Sequence, residues 1–252
     1  MFLKVLALLL TVFFIADNRD FEKLIEEADI IYIPEEHTSE SDHHFQLKVI
    51  KHMYTKGYKL VIGMEMFQQS FQKYLDDYVD GKISEEEMLE KSQYRKRWGY
   101  EPSLYSSIWR FAREKGIRLY ALNVPSELLE EVRLYGVQKV ENPIIPKPLI
   151  QQKEEEKEDL LKVLESHPKV DEKSFLEVQN LWDNVMAYAI VRIIKENPNT
   201  KVVVLAGRGH IGRMDMGIPY RVKKLDPSLK QVILAPKSCF PLSQGSGTSQ
   251  GM

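Results

Sequence analysis

Cysteine is nearly missing from this chain: Cys239 is the single thiol in 252 residues. That excludes an intramolecular disulfide, a thiolate zinc cluster and the paired cysteines of a covalent haem attachment. Any metal or macrocycle would have to be held by His, Tyr, Met or carboxylate groups. An excess of charge of one sign is missing as well. The net of −2 at neutral pH leaves no basic stripe to neutralise phosphates, so nucleic acid is not expected as a partner. Nor is there an apolar run long enough to span a bilayer. The densest, residues 5–16 behind Lys4, suits the core of a secretory signal. Residues 1–19 are therefore expected to be a signal peptide or N-terminal hydrophobic segment. That implies export, to the periplasm or the outer side of the cytoplasmic membrane, with membrane association through this segment. What is abundant is apolar content, 43%, enough to bury one large domain. It is expected over 20–238, with a helical insertion at about 68–116, a second helical segment at about 150–197 and a flexible tail, 239–252.

Chemistry concentrates in IYIPEEHTSESDHHFQ, residues 31–46. The β-branched and aromatic run before it reads as a buried strand, ended by Pro34, which places Glu35, Glu36 and His37 in the turn beyond. In the following helix the apolar arc at 3.6 residues per turn carries His43 and Gln46 inward, and turns His44 and His52 to solvent. KLVIGMEM (59–66) reads as a second strand that delivers Glu65 into an apolar setting, where a carboxylate needs a compensating partner. IRLYALNVP (117–125) is a third strand. KVVVLAGRGHIG (201–212) is a fourth, whose glycines let the backbone turn sharply and present His210. If these strands are parallel neighbours, His37, Glu65 and His210 meet at one rim, where open α/β sheets place ligands. The fold class is thus α/β, a mostly parallel central sheet flanked by helices, with a helical subdomain. GIPYRVKKL and QVILAP read as late extended segments.

Residues 68–116 read as three helices, the second opened by a capping-box pattern, Ser84 with Glu87. Tyr94, Trp98, Tyr100, Tyr105 and Trp109 give this region unusual aromatic density. At helical spacing such residues are more often core packing; the alternative is the wall of a flat apolar ligand, with a tyrosine oxygen available to iron.

Taken together, PEEH and DHHFQ (34–46), GMEMFQ (63–68), YRKRWGYE (94–101), ALNVP (121–125), QNLWDNVMA (179–187) and GRGHIGRMDMGIPYR (207–221) resemble the ChaN-like haem-binding uptake proteins of the wider Tiki, TraB and erythromycin-esterase superfamily. The resemblance runs from about Asp29 to Arg221. It implies an exported α/β protein that handles haem for iron acquisition or storage, a binding protein rather than an enzyme. At superfamily level it maps a first G-x-x-H turn onto Glu35 and His37, a glutamate after the next strand onto Glu65, and a second G-x-x-H onto Gly207 and His210. Pro34 stands where the first motif has glycine. For haem, the axial candidates are His37, His43, His210, Tyr94, Tyr100 and Tyr105, with Trp98 as a wall and Arg95, Arg97 and Arg208 as propionate partners. A homodimer is a further expectation. The alternative is a metal-dependent hydrolase in which Glu35, His37, Glu65 and His210 hold a divalent ion or activate water.

Overall fold

In the computed structural model, residues 18–165 and 171–235 are described. The signal-like run, Cys239 and the expected tail lie outside them, except that Asn18 and Arg19 already belong to a helix, α1 (Asn18–Glu27). No helix among the described residues is long and apolar enough to cross a membrane.

The apolar runs form β1 (Ile30–Glu35), β2 (Leu60–Gln68), β3 (Leu119–Asn123) and β4 (Lys201–Gly207), followed by a short β5 (Gln231–Ile233). All pair in parallel, in the order β3-β2-β4-β1-β5. From β1 the chain passes through α2 (Glu40–Thr55) to β2, then through α3 (Gln72–Val79), α4 (Glu85–Lys91), α5 (Tyr94–Arg97) and α6 (Ser103–Lys115) to β3. It returns through α7 (Ser126–Tyr135), α8 (Glu154–Leu164) and α9 (Glu172–Glu196) to β4, and through α10 (Arg208–Ile211) and α11 (Gly217–Leu225) to β5. The outward and return crossovers move along the sheet in opposite senses, so the right-handed rule puts them on opposite faces.

Strand parity confirms this. Ile31, Ile33, Ile62, Met64, Val203 and Leu205 pack with α2, α3, α4 and α6 on one face. Ile30, Tyr32, Val61, Val202, Val204 and Ala206 pack with α9 and α11 on the other. Because the chain leaves β1 and β2 over the first face and β4 over the second, the loops at their carboxyl ends diverge and leave an opening there.

Three local expectations are corrected. Pro34 does not end β1; it aligns with Ala206 and the strand runs on to Glu35. Ile30 donates its N–H to Lys230 on the β5 side. The two-residue period puts the Pro34 nitrogen on that same side, beyond the last β5 partner of Tyr32, where no ladder bond is lost. GIPYRVKKL is the helix α11, whose Ile218 and Val222 are buried one turn apart, with Pro219 tolerated in the first turn. The helix expected from Ser84 does open with its capping box, but breaks at Gln93, whose φ of 53° separates α4 from α5.

Candidate functional site

Glu35 is odd-numbered with Ile31 and Ile33, so its side chain faces α2 and α6. There it is 1% exposed and surrounded by donors. Gln46 Nε2 donates to Oε2 at 2.7 Å. The Tyr105 hydroxyl donates to Oε1 at 2.7 Å. His37 Nδ1 meets the same oxygen at 2.9 Å, and His43 Nε2 stands 3.5 Å from it. Burial disfavours the charge, but His37, His43 and Tyr105 outweigh it and lower the Glu35 carboxyl to about 2. Burial likewise raises the Tyr105 hydroxyl, helped by Glu35, so it remains a donor. His37 loses charge stability to burial and regains more from Glu35 and Glu65, so its pKa is raised.

Glu65 has the opposite parity to Met64 and Met66, and reaches the rim from the α9 face. Its Oε2 accepts the Gly207 N–H at 2.7 Å, and its Oε1 lies 3.5 Å from His210 Nε2. The other nitrogen of His210 is held by Asp183 on α9 at 2.6 Å. Against burial, Glu65 and Asp183 raise His210 to about 9. Behind Asp183 lies Arg221, fully buried, whose guanidinium donates to Glu156 at 2.9 Å, to Asn180 at 2.8 Å and to the Gly217 carbonyl at 2.8 Å.

Gly207 sits where the two halves touch. A Cβ there would meet His37 Cε1 at 2.8 Å, closer than packed atoms approach. His37, Glu65 and His210 therefore do converge, and with Trp98, Tyr100 and Trp182 they line a cavity of about 260 Å³. The sequence reading missed Asp183 as the His210 partner, and also Gln46's bond to Glu35, Trp182 and the buried Arg221 network.

Other predicted site residues are elsewhere. Tyr94 and Tyr105 are 1% and 0% exposed, packed with Trp109 in the core, and Tyr105 spends its hydroxyl on Glu35. They are not part of the cavity wall. His43 is buried, its ring tilted against that of Tyr105 with centroids 4.3 Å apart, and lines a separate cavity of about 220 Å³ between α2 and α6. Arg208 is exposed and paired with Glu36. Arg97 lines the aromatic cavity while bound to Glu127 and Gln68, and Arg95 pairs with Glu86 on the surface. The expected metal set, Glu35, His37, Glu65 and His210, is not assembled as one group. Among the described residues no group of three or more His, Cys, Asp or Glu side chains is arranged to hold an ion. Glu35 and Glu65 enter from opposite faces, and each already accepts protein hydrogen bonds.

A family profile described as haem-binding uptake, Tiki superfamily, ChaN, matches residues 22–222. The chain belongs to this ChaN family. Among solved structures, it resembles ChaN of Campylobacter jejuni, described as binding haem cofacially, with a TM-score of 0.65 at 18% identity over 87% of this chain and 85% of that one. An erythromycin esterase mutant, EreC in its open conformation, gives 0.52 at 15% identity over 87% and 73%. A succinoglycan biosynthesis protein gives 0.54 at 13% over 88% and 69%. At these identities the structures share the ChaN fold. Among curated protein sequences nothing matches.

Proposed function

We propose that this ChaN-family chain binds haem non-covalently at the rim formed by the ends of β1, β2 and β4. The carrying observation is His37, whose Nδ1 is bound to Glu35 at 2.9 Å while its ring lines the cavity of Trp98, Tyr100 and Trp182. A carboxylate on one imidazole nitrogen is the usual device that orients a ligating histidine and strengthens its other nitrogen as a donor. Haem would supply an iron for His37 Nε2 and a flat apolar face for the three aromatic rings. Tyr100, whose ring centroid is 5.0 Å from that of His37, offers an oxygen donor beside it. The hollow of about 260 Å³ is smaller than the roughly 300 Å³ from which pockets enclose drug-sized ligands, so it suits a macrocycle lying against the rim with one face open. Since the C. jejuni protein is described as binding haem cofacially, a second copy of this chain with its own haem would cover that face. Export completes the proposal, on the strength of residues 5–16.

Titrating the purified protein with hemin and following the Soret band tests this reading. A saturable shift is expected, lost in His37→Ala and weakened about 10–100-fold in Glu35→Gln, whose carboxamide no longer charges the imidazole. Absence of a saturable shift in the parent removes the proposal. Loss in Tyr100→Phe with retention in His37→Ala moves the ligand to the tyrosine.

A second reading, hydrolysis by acid–base chemistry, is supported by one further observation. Glu65 stands between two imidazoles, each anchored on its outer nitrogen by a carboxylate, Glu35 at 2.9 Å and Asp183 at 2.6 Å. Such a set can take a proton from water and return one to a leaving group. An ester screen comparing the parent with Glu65→Gln tests it; equal rates in the two would count against it.

A further inference from the structure

Of the three arginines expected near a haem carboxylate, Arg97 alone lines the aromatic cavity; Arg95 and Arg208 are exposed and paired outside it. The Arg97 side chain is only 14% exposed, and three neighbours fix its guanidinium. Nε donates to Gln93 Oε1 at 3.0 Å, Nη1 donates to Gln68 Oε1 at 2.9 Å, and the central carbon lies 5.1 Å over the Phe71 ring. Gln68 is itself buried and anchored, since its amide donates to the Ser126 hydroxyl at 2.6 Å. A planar fork held on a ring and along one edge is presented in advance to a planar partner.

The other edge of the fork is taken by Glu127. Its two oxygens accept from Nη1 at 2.9 Å and from Nη2 at 2.7 Å, the paired geometry by which arginine recognises a carboxylate. Yet the Glu127 side chain is 71% exposed and does not line the cavity. An ion pair with one partner in water contributes little, so Glu127 is an occupant that another carboxylate can displace. The guanidinium would keep Gln68, Gln93 and Phe71 after the exchange. Ser126, joined to Arg97 through Gln68, lines the cavity and, accepting from Gln68, retains its own proton to donate. The cavity's own carboxylate, Glu65, is engaged by the Gly207 N–H and by His210, not by Arg97.

We propose that Glu127 stands in for a carboxylate of the ligand: a haem propionate displaces it and takes the Arg97 fork, with the Ser126 hydroxyl as a further donor. The proposal rests on the haem reading and deepens it, because it places the propionate edge of the macrocycle at α5 and α7 and leaves its body to His37, Trp98 and Tyr100. Glu127 then competes twice, by occupying the fork and, once displaced, by repelling the carboxylate that replaced it.

Hemin and hemin dimethyl ester, which keeps the iron and the ring but carries no free carboxylate, are titrated into the full chain and followed at the Soret band. Glu127→Gln preserves the shape of the side chain and removes its charge; it is expected to tighten hemin about two- to fivefold and to leave the ester unchanged. Arg97→Gln is expected to weaken hemin at least about tenfold and again to leave the ester unchanged, which also reports that the cavity is intact in that variant. Unchanged or weaker hemin binding in Glu127→Gln would overturn the proposal, as would equal losses of hemin and ester in Arg97→Gln. Saturable binding of both macrocycles with none of these differences would remove the propionate site and leave the haem rim standing. Absence of binding by either macrocycle in the parent would remove both.

Discussion

His210 should write its environment into the pH dependence of stability. In the unfolded chain its imidazole titrates near 6.5; in the folded protein Glu65 and Asp183 overcome burial and hold it at about 9. Because the folded pKa is the higher one, the folded state keeps a proton that the unfolded state has released. The stabilisation is thus complete below about pH 6.5, fades as pH rises, and is gone above about pH 9. The gap between the two values corresponds to about 3 kcal/mol at full effect, of which about 1 kcal/mol remains near pH 8. Urea unfolding of the parent and of His210→Gln from about pH 6 to about pH 9.5 gives two stability profiles. Their difference isolates this imidazole from His37, which titrates in both. The difference should shrink by a few kcal/mol across that window, and NMR titration of the His210 ring should place its midpoint near 9. In Asp183→Asn the midpoint should fall, since one of the two carboxylates is gone. Parallel profiles for parent and His210→Gln would refute the reasoning, because the histidine would then titrate alike folded and unfolded.

Three other perturbations test neighbouring parts of the same construction. Arg221→Met leaves the buried acids Glu156 and Asp183 without their shared cation, and should cost about 3–5 kcal/mol in urea unfolding; a loss under about 1 kcal/mol would show that the network is not a charge pair at all. Tyr105→Phe removes one donor from Glu35 and should cost about 1–3 kcal/mol near neutral pH. Because the Glu35 pKa is depressed to about 2, its stabilisation is present above the ordinary carboxylate range and lost as pH falls through that value, so the same variant should also unfold at a higher pH in acid. Gly207→Ala drives a methyl against His37, and hemin affinity should fall further than stability does; unchanged hemin binding would mean that His37 moves aside without consequence.

Much of this rim was legible in the sequence because strand and helix periods are local. The parity of Ile31, Ile33 and Glu35 fixes the face of the first carboxylate, and the apolar arc of α2 turns His43 and Gln46 toward it. Pairing across distance is where local signals end. Asp183 falls at the border of the apolar face of α9, and nothing near it in the chain names His210 as its partner. The signal that existed was the same as for Glu65, an acid beside a core-facing stripe. Tyr94, Tyr105 and Trp98 share one spacing pattern, yet the first two are core and the third is wall. Periodicity reports which side of a helix is apolar, not whether the apolar side meets protein or an opening. GIPYRVKKL failed for a related reason: Gly and Pro at its head obscured a helix whose identity rests on Ile218 and Val222 packing beneath the sheet.

Strand parity also accounts for why the two glutamates of this rim do not meet. A parallel strand can send successive side chains only to alternate faces, so Glu35 and Glu65, odd-numbered on strands of different phase, arrive on opposite sides of the sheet. Each is then claimed by its own layer: Glu35 by Gln46 and Tyr105 beneath α2 and α6, Glu65 by Gly207 beside α9. What remains at the edge between them is a pair of imidazoles whose outer nitrogens are fixed and whose inner sides face aromatic rings. Among the described residues that edge is the one place where the two layers meet without either claiming the imidazoles' inner sides, and the proposed haem rests on it.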